Sequence, residues 1–303
     1  MSCTAISSKA AVRRARALAA LRRRLDDEGF IEITTPLLQV VRPFGPAPRH
    51  SFRVGDQEFH LRQSIELLLR TALTATPRVY DIGSAIRFED AGRGPKSVVE
   101  FTLMELYAQN LEYDPLMTLA EQLIRATVNV PLPERRLVNV TQWFHEAGID
   151  FSEDSVATCR RKMLTLLGVK EDDRPFWQLI NSCIETFVEP KLEGFTFLHD
   201  YPLQTVCLAR RSPARRHVIE RFEVFINGTE VGHGFVDETN PNDVLARMEE
   251  NGPEFVDRAF IDRLSSGEFP SSGGFGIGIE RLLAMTDDSH SDVRQFLHEY
   301  QHG

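Results

Sequence analysis

Carboxylates recur in the run RFEVFINGTEVGHGFVDE in a pattern that could hold a divalent cation: Glu223, Glu230 and Asp237. Asn227-Gly228, between the first two, predicts a tight hairpin turn whose arms would bring Glu223 and Glu230 together. Paired carboxylates suit Mg²⁺, which takes oxygen ligands and shares them with substrate phosphates. Acids exposed on the two arms of a hairpin would read the same way. A second group of polar residues interrupts two apolar runs, RVYDIGSAIRFED and VEFTLMELYAQN: Arg87, Glu89, Glu100, Glu105 and Tyr107. Residues two apart on a strand share a face, so Arg87 pairs with Glu89 and Glu105 with Tyr107. Alone, Arg87 reads as a strand-end arginine in a surface ion pair. With matched charges on neighbouring strands it reads as part of a site for a charged ligand, because buried charge is costly unless something pairs with it. A third block, GGFGIGIERL, alternates glycine along a strand, which leaves room for a ligand or a backbone to approach. Arg281 follows it at the start of a helix and is a candidate phosphate clamp.

The elements that must position these residues follow from periodicity and turn chemistry. Lys9 to Glu28 predicts a helix, with Val12, Ala15, Leu18, Leu21 and Leu25 on its apolar face, the arginines solvated, and Gly29 as its stop. FIEITTPLL is extended. SFRVGDQEFHL predicts a hairpin turning at Gly55-Asp56, and SIELLLRTAL a helix with Ser64 as N-cap. The two apolar runs around Arg87 and Glu105 are strands joined by the loop AGRGPKS. Helices are expected at 114–128, near 155–167 and 174–187, and at 241–250, with strands in FTFLHDYP and on both sides of Asn227-Gly228. Hairpin connections rather than regular βαβ alternation predict an α+β fold, an antiparallel sheet flanked by helices. One domain spanning 1–303 is expected, with a helical insertion at about 141–190.

Composition narrows the class. The chain has 303 residues, 42% of them hydrophobic, and no apolar run near the roughly 20 residues that span a bilayer. The N-terminal stretch lacks the apolar core of a signal peptide. The four cysteines, Cys3, Cys159, Cys183 and Cys207, form no CxxC pair, so neither a zinc site nor a disulfide framework is expected, and free thiols fit a reducing cytoplasm. A net charge of −9 argues mildly against nucleic acid as the main partner.

Taken together, the blocks resemble the three signature motifs of class II aminoacyl-tRNA synthetases, in order. GFIEITTPLL resembles the first, with Pro36 at its dimer-interface proline; RVYDIGSAIRFED…VEFTLMELY resembles the second; GGFGIGIERL resembles the third. Within the class the chain looks most like the lysyl type. FEVFINGTEVGHGF is similar to its metal hairpin, and FVEPKLEGFTFLHDYPLQTVCLARR is close to the short paralogue that ligates lysine to elongation factor P. The resemblance implies ATP and Mg²⁺ as substrate and cofactor, a cytoplasmic homodimer, and activation of a lysine-like amino acid as its adenylate. The acceptor it implies is a protein lysine, as in elongation factor P, or another amine. No anticodon-binding domain is expected, and tRNA is the less expected acceptor. Arg87 would bridge the amino-acid carboxylate and the α-phosphate, Glu89 would contact adenine and Phe101 stack on it, and Arg281 would hold the γ-phosphate. Glu223 and Glu230 would bind Mg²⁺. Glu66 would receive the α-amino group, while Glu105, Tyr107 and Asp237 would surround the side-chain ammonium. A small-molecule ligase and a non-catalytic amino-acid sensor are the competing readings.

The chain departs from the lysyl pattern in places that bear on substrate. The loop after Arg87 is longer, and Ser97-Val98-Val99 replaces a His-Asn-Pro. Asp237 replaces a glutamate; its shorter side chain predicts room for a longer or bulkier cation than lysine. His233 stands where asparagine is usual and reads either as a structural histidine or as a substrate contact. Gly276, where the short paralogue has alanine, leans towards an α-amino acid.

Overall fold

A computed structural model describes residues 8–40, 51–87, 99–128, 130–252 and 255–285. Glu89, Cys3 and most of the loop after Arg87, including Ser97-Val98, lie outside the described residues. The first helix, α1 (Ser8–Asp27), buries Ala10, Ala17, Leu21 and Leu25. Its buried stripe is rotated from the expected one. Val12 is exposed, and Arg14 turns inward where a solvated arginine was expected. The reason is polar: Arg14 donates to Glu280 at 2.8 Å and to the Thr102 hydroxyl at 2.5 Å. Gly29 then ends the helix in the left-handed conformation, φ 76°.

The main sheet has 8 strands. In spatial order they are β1 (Ile31–Glu32), β5 (Arg78–Ile86), β6 (Glu100–Gln109), β11 (Ser272–Gly278), β10 (Thr229–Val236), β9 (Val218–Ile226), β8 (Phe195–Pro202) and β7 (Arg136–Asn139). The centre is antiparallel, as expected, but both edge strands are parallel to their neighbours, β1 to β5 and β7 to β8. A parallel pair needs a crossover. For β7 and β8 it is supplied by α4 (Val140–Glu146), α5 (Val156–Leu167) and α6 (Phe176–Phe187), so the mid-chain helices connect two strands of the sheet. A smaller 3-stranded sheet, in the order β2 (Leu38–Gln39), β4 (Gln57–Leu61), β3 (Ser51–Val54), contains the hairpin turning at Gly55, φ 60°.

Two apolar layers hold the large sheet. On one face α1, α3 (Tyr113–Thr127) and α9 (Ile279–Ala284) cover Met104, Leu106, Phe222, Phe275 and Ile277. On the other, towards β8 and β9, the crossover helices with α7 (Pro241–Asn251) and α8 (Arg258–Ser265) bury Leu198, Ile219, Phe225 and Phe235. The remaining part of this second face, over β5 and β6, is covered by α2 (Glu66–Ala72) through Ile65, Leu69 and Leu73. Between α2 and the crossover helices the sheet carries glycine and charge, and there the candidate site lies.

Candidate active site

Strand register builds the site. Across the sheet, Asp81 on β5 faces Glu105 on β6, Glu105 faces Gly276 on β11, Gly276 faces His233 on β10, and His233 faces Glu223 on β9. Directly opposed residues share a face, so this row crosses one side of the sheet. The adjacent row contains Tyr107, Gly274, Phe235 and Arg221. Simple alternation would put Glu230 on the opposite side from His233. The register shift between Glu230 and Gly232 corrects this, pairing Glu230 with Phe225 and returning it to the face of Glu223. Glu100, by contrast, is exposed and of the opposite parity to Glu105; it does not join the site.

The β11 glycines make the floor. A Cβ on Gly274 would lie 2.3 Å from the Tyr107 ring, so the ring lies across bare backbone. A Cβ on Gly276 would come within 3.1 Å of Glu105 Cγ. Glu105 is held from above: its carboxylate accepts the Ile65 N–H at 2.6 Å and the Ser64 hydroxyl at 3.2 Å. Ser64 also accepts the Glu66 N–H at 3.1 Å, although Ile65, not Ser64, occupies the N-cap position of α2. One serine thus joins the start of α2 to the strand acid. Burial pushes the Glu105 carboxyl up, opposed by the Ile65 N–H, His233 and Arg87. Tyr107 is pushed well up by burial and by the surrounding Glu66, Asp237 and Glu105.

At the mouth, Arg87 donates through Nε to the Gln63 carbonyl at 3.0 Å and lies over the Phe101 ring at 5.4 Å. Glu230 pairs with Arg281 at 3.3 Å and faces His233 at 3.7 Å. Against the burial that would raise it, His233, Arg281 and Arg221 hold the Glu230 carboxyl below the usual carboxylate range. His233 therefore has a charged partner and stands between the carboxylates of the row. Glu223 accepts the Tyr201 hydroxyl at 2.6 Å and an ion pair from Arg221. Glu189, beside them, is pushed up to about 7 by burial and by Glu223, Glu185 and Glu230. No cluster of three or more metal-ligating side chains occurs among the described residues. The donors fit a cation that completes its shell with phosphate oxygens, as Mg²⁺ does.

Asp237 is placed differently from what its position implied. Its Oδ2 accepts the Ser272 hydroxyl at 2.5 Å, and its Oδ1 lies 3.2 Å from Arg70 Nη1. Burial raises its carboxyl, opposed by Arg70 and Ser272. The room expected from its shorter side chain is filled by the Arg70 guanidinium, which also reaches Glu66 at 3.5 Å. Arg70, Arg221, Tyr201 and Glu189 are the residues that sequence reasoning missed. Arg70 is one helical turn beyond Glu66, a spacing that brings two side chains together, and this was the signal available for it. Arg62 was also missed. It ties the segment before β2 to β5, donating to Thr35 at 3.0 and 2.8 Å and pairing with Asp81 at 3.2 Å.

The family of class II tRNA synthetases of the D, K and N type matches residues 4–297. The chain belongs to this family. As a class II synthetase domain it is similar to lysine–tRNA ligases along nearly its whole length. It is 30% identical to that of Chloroflexus aurantiacus, with 94% of the chain and 63% of the relative aligned. It is 33% identical to that of Thermosynechococcus vestitus, with 92% and 60% aligned, and 34% identical to that of Synechococcus sp. strain CC9311, with 92% and 63% aligned. The chain therefore spans 60% to 63% of the length of these relatives. The α+β class of the fold stands with the family. None of the described helices is long and apolar enough to cross a membrane.

Proposed function

We propose that the protein activates a lysine-like, cationic amino acid with ATP and passes the acyl group to a protein lysine, as on elongation factor P, or to another amine. The observation that carries this reading is the sharing of one sheet face by Glu105, Tyr107 and Gly276 with the hairpin acids Glu223 and Glu230, with Arg87 just past the end of β5 and Arg281 reaching Glu230 from α9. An amino-acid carboxylate needs no protein nucleophile. One of its oxygens attacks the α-phosphorus, the bond to the bridging oxygen breaks, and pyrophosphate leaves. The acceptor amine then attacks the acyl carbon and AMP leaves.

Such chemistry rests on positioning and charge stabilisation. Arg87, at the mouth of the site, would bind the carboxylate and the α-phosphate, and Phe101 would offer its ring to adenine. Arg281 would exchange Glu230 for the terminal phosphate, freeing Glu230. Glu223 and Glu230 would hold Mg²⁺, whose contribution is to neutralise phosphate charge. Glu66, with 22% of its side-chain surface open, is the acid best placed for the α-ammonium. Glu105 and Tyr107 would line the side chain.

ATP–pyrophosphate exchange across a panel of amino acids tests the first half; the expected result is exchange with basic amino acids and none with neutral or acidic ones. Exchange with no basic amino acid would overturn it. Mass spectrometry of elongation factor P, of small amines and of lysine tRNA, each offered as acceptor, tests the second half. The expected product is an aminoacylated protein or amine. An acyl group found on tRNA alone would make tRNA the acceptor, as it is for the named relatives.

A further inference from the structure

The Arg70 guanidinium is the deepest cation in the site, and its surroundings fix it. The residue keeps 1% of its surface. Phe269 and Phe260 lie against it at 4.9 and 5.4 Å from their ring centroids. Nη1 reaches Asp237, whose side chain is 0% exposed, and Glu66. Nε and Nη2 make no hydrogen bond. A guanidinium remains charged at any ordinary pH, so Asp237 already has its cation before a substrate arrives. Its other oxygen is taken by Ser272.

This changes which acids a substrate can use. An ammonium long enough to reach Asp237 would meet Arg70, a like charge in a poorly hydrated place, where repulsion is weakly screened. The acids left are Glu66 and Glu105. They lie close together, because Glu105 is anchored on the backbone N–H of Ile65, the residue next to Glu66, and each carboxylate raises the cost of ionising Glu66 or its neighbour in the absence of a cation. Two ammonium groups, one on each acid, must then be linked by a short chain.

We propose that Arg70 is a specificity-determining residue that shortens the side-chain pocket, so that the preferred substrate is a diamino acid with fewer methylenes than lysine. This rests on the reading of the site as an amino-acid-activating one. The shortening acts through a protein cation standing where a longer substrate's own cation would have to go.

Calorimetric binding of diaminobutyrate, ornithine and lysine to the full chain, run beside ATP–pyrophosphate exchange with the same three, tests it. The expected result is that a shorter homologue binds about tenfold or more tighter than lysine, the discrimination one methylene can provide. In Arg70→Met the preference should move towards lysine by at least about tenfold, since Asp237 is then free. In Arg70→Met with Asp237→Asn, which removes both charges, that gain for lysine should vanish. Tighter binding of lysine than of both shorter homologues by the unaltered protein overturns the proposal, whether or not the variants fold. So does an unchanged preference in a folded Arg70→Met, or binding of none of the three. If the shorter homologue binds best but no exchange is seen, the pocket inference stands and the activity proposed above fails. If exchange occurs and lysine is favoured, the activity stands and the inference fails.

Discussion

A carboxyl that titrates near neutrality changes charge across the range in which a protein is ordinarily assayed, and Glu66 is such a group. Burial pushes it up to about 7, with Arg70 opposing and Asp237, Glu105 and His233 as its other charged neighbours. The sign follows from the raised value. Below about pH 7 the group is neutral and cannot pair with an α-ammonium; above it the carboxylate forms and can. The KM for the amino acid should therefore fall by about tenfold between pH 6 and pH 8, as one ionisation requires, and Glu66→Gln should flatten that profile. A KM independent of pH in the unaltered protein would remove Glu66 from amine recognition. At this scale the sequence was informative wherever a residue's partners are its neighbours on a strand. Glu105 and Tyr107 follow from alternation alone. Arg70 was legible only as a neighbour of Glu66 one helical turn on, and nothing in SIELLLRTAL shows that it is buried. What buries it is Phe260 and Phe269, contributed by a distant part of the chain.

At the scale of elements, β11 is a strand whose function depends on missing side chains. Its two inner glycines differ in what a methyl group would meet. In Gly274→Ala the new carbon would enter the Tyr107 ring, and overpacking of that kind costs about 2–3 kcal/mol. In Gly276→Ala it would press on the more adjustable Glu105, costing about 1 kcal/mol or less but weakening amino-acid binding. Urea unfolding midpoints at unchanged slope separate the two; equal losses would mean that Tyr107 moves aside freely. The glycine spacing made β11 recognisable from sequence, and the 3.6-residue period did the same for α1, α3, α5 and α6. The parallel edge strands were not recognisable, since β1 is only Ile31–Glu32 and β7 only Arg136–Asn139. Helix α4 was also missed, although Asn139 caps it by accepting the Gln142 N–H at 2.9 Å, and so was α8, capped by Asp257 through the Phe260 N–H at 3.0 Å. The caps and short apolar faces were visible, Val140 and Phe144 in one helix and Phe260, Ile261 and Leu264 in the other, but each helix is short and the surface it packs on comes from elsewhere in the fold.

For the whole molecule, the outer surface of the first motif and the small sheet carries Ile31, Leu37, Leu38, Val40, Phe52 and Val54, all exposed. Apolar side chains gathered in one region mark an interface more often than a bare surface, and the homodimer expected from the resemblance would bury them. Sedimentation should give twice the monomer mass, and Phe52→Glu together with Val54→Glu should shift it to the monomer. A monomeric unaltered protein would leave that patch to another partner. The strand order has a further consequence, for how the protein is made. The last strand described, β11, lies between β6 and β10, which come much earlier in the chain. Until β11 has left the ribosome, two partial sheets must wait with their central edges unpaired, one ending at β6 and the other at β10. Open edges of this kind template pairing with other chains. The glycines that open the site to a ligand are therefore also the residues whose late arrival closes the sheet, and slow synthesis through residues 237–272 would prolong the period in which nascent chains can aggregate.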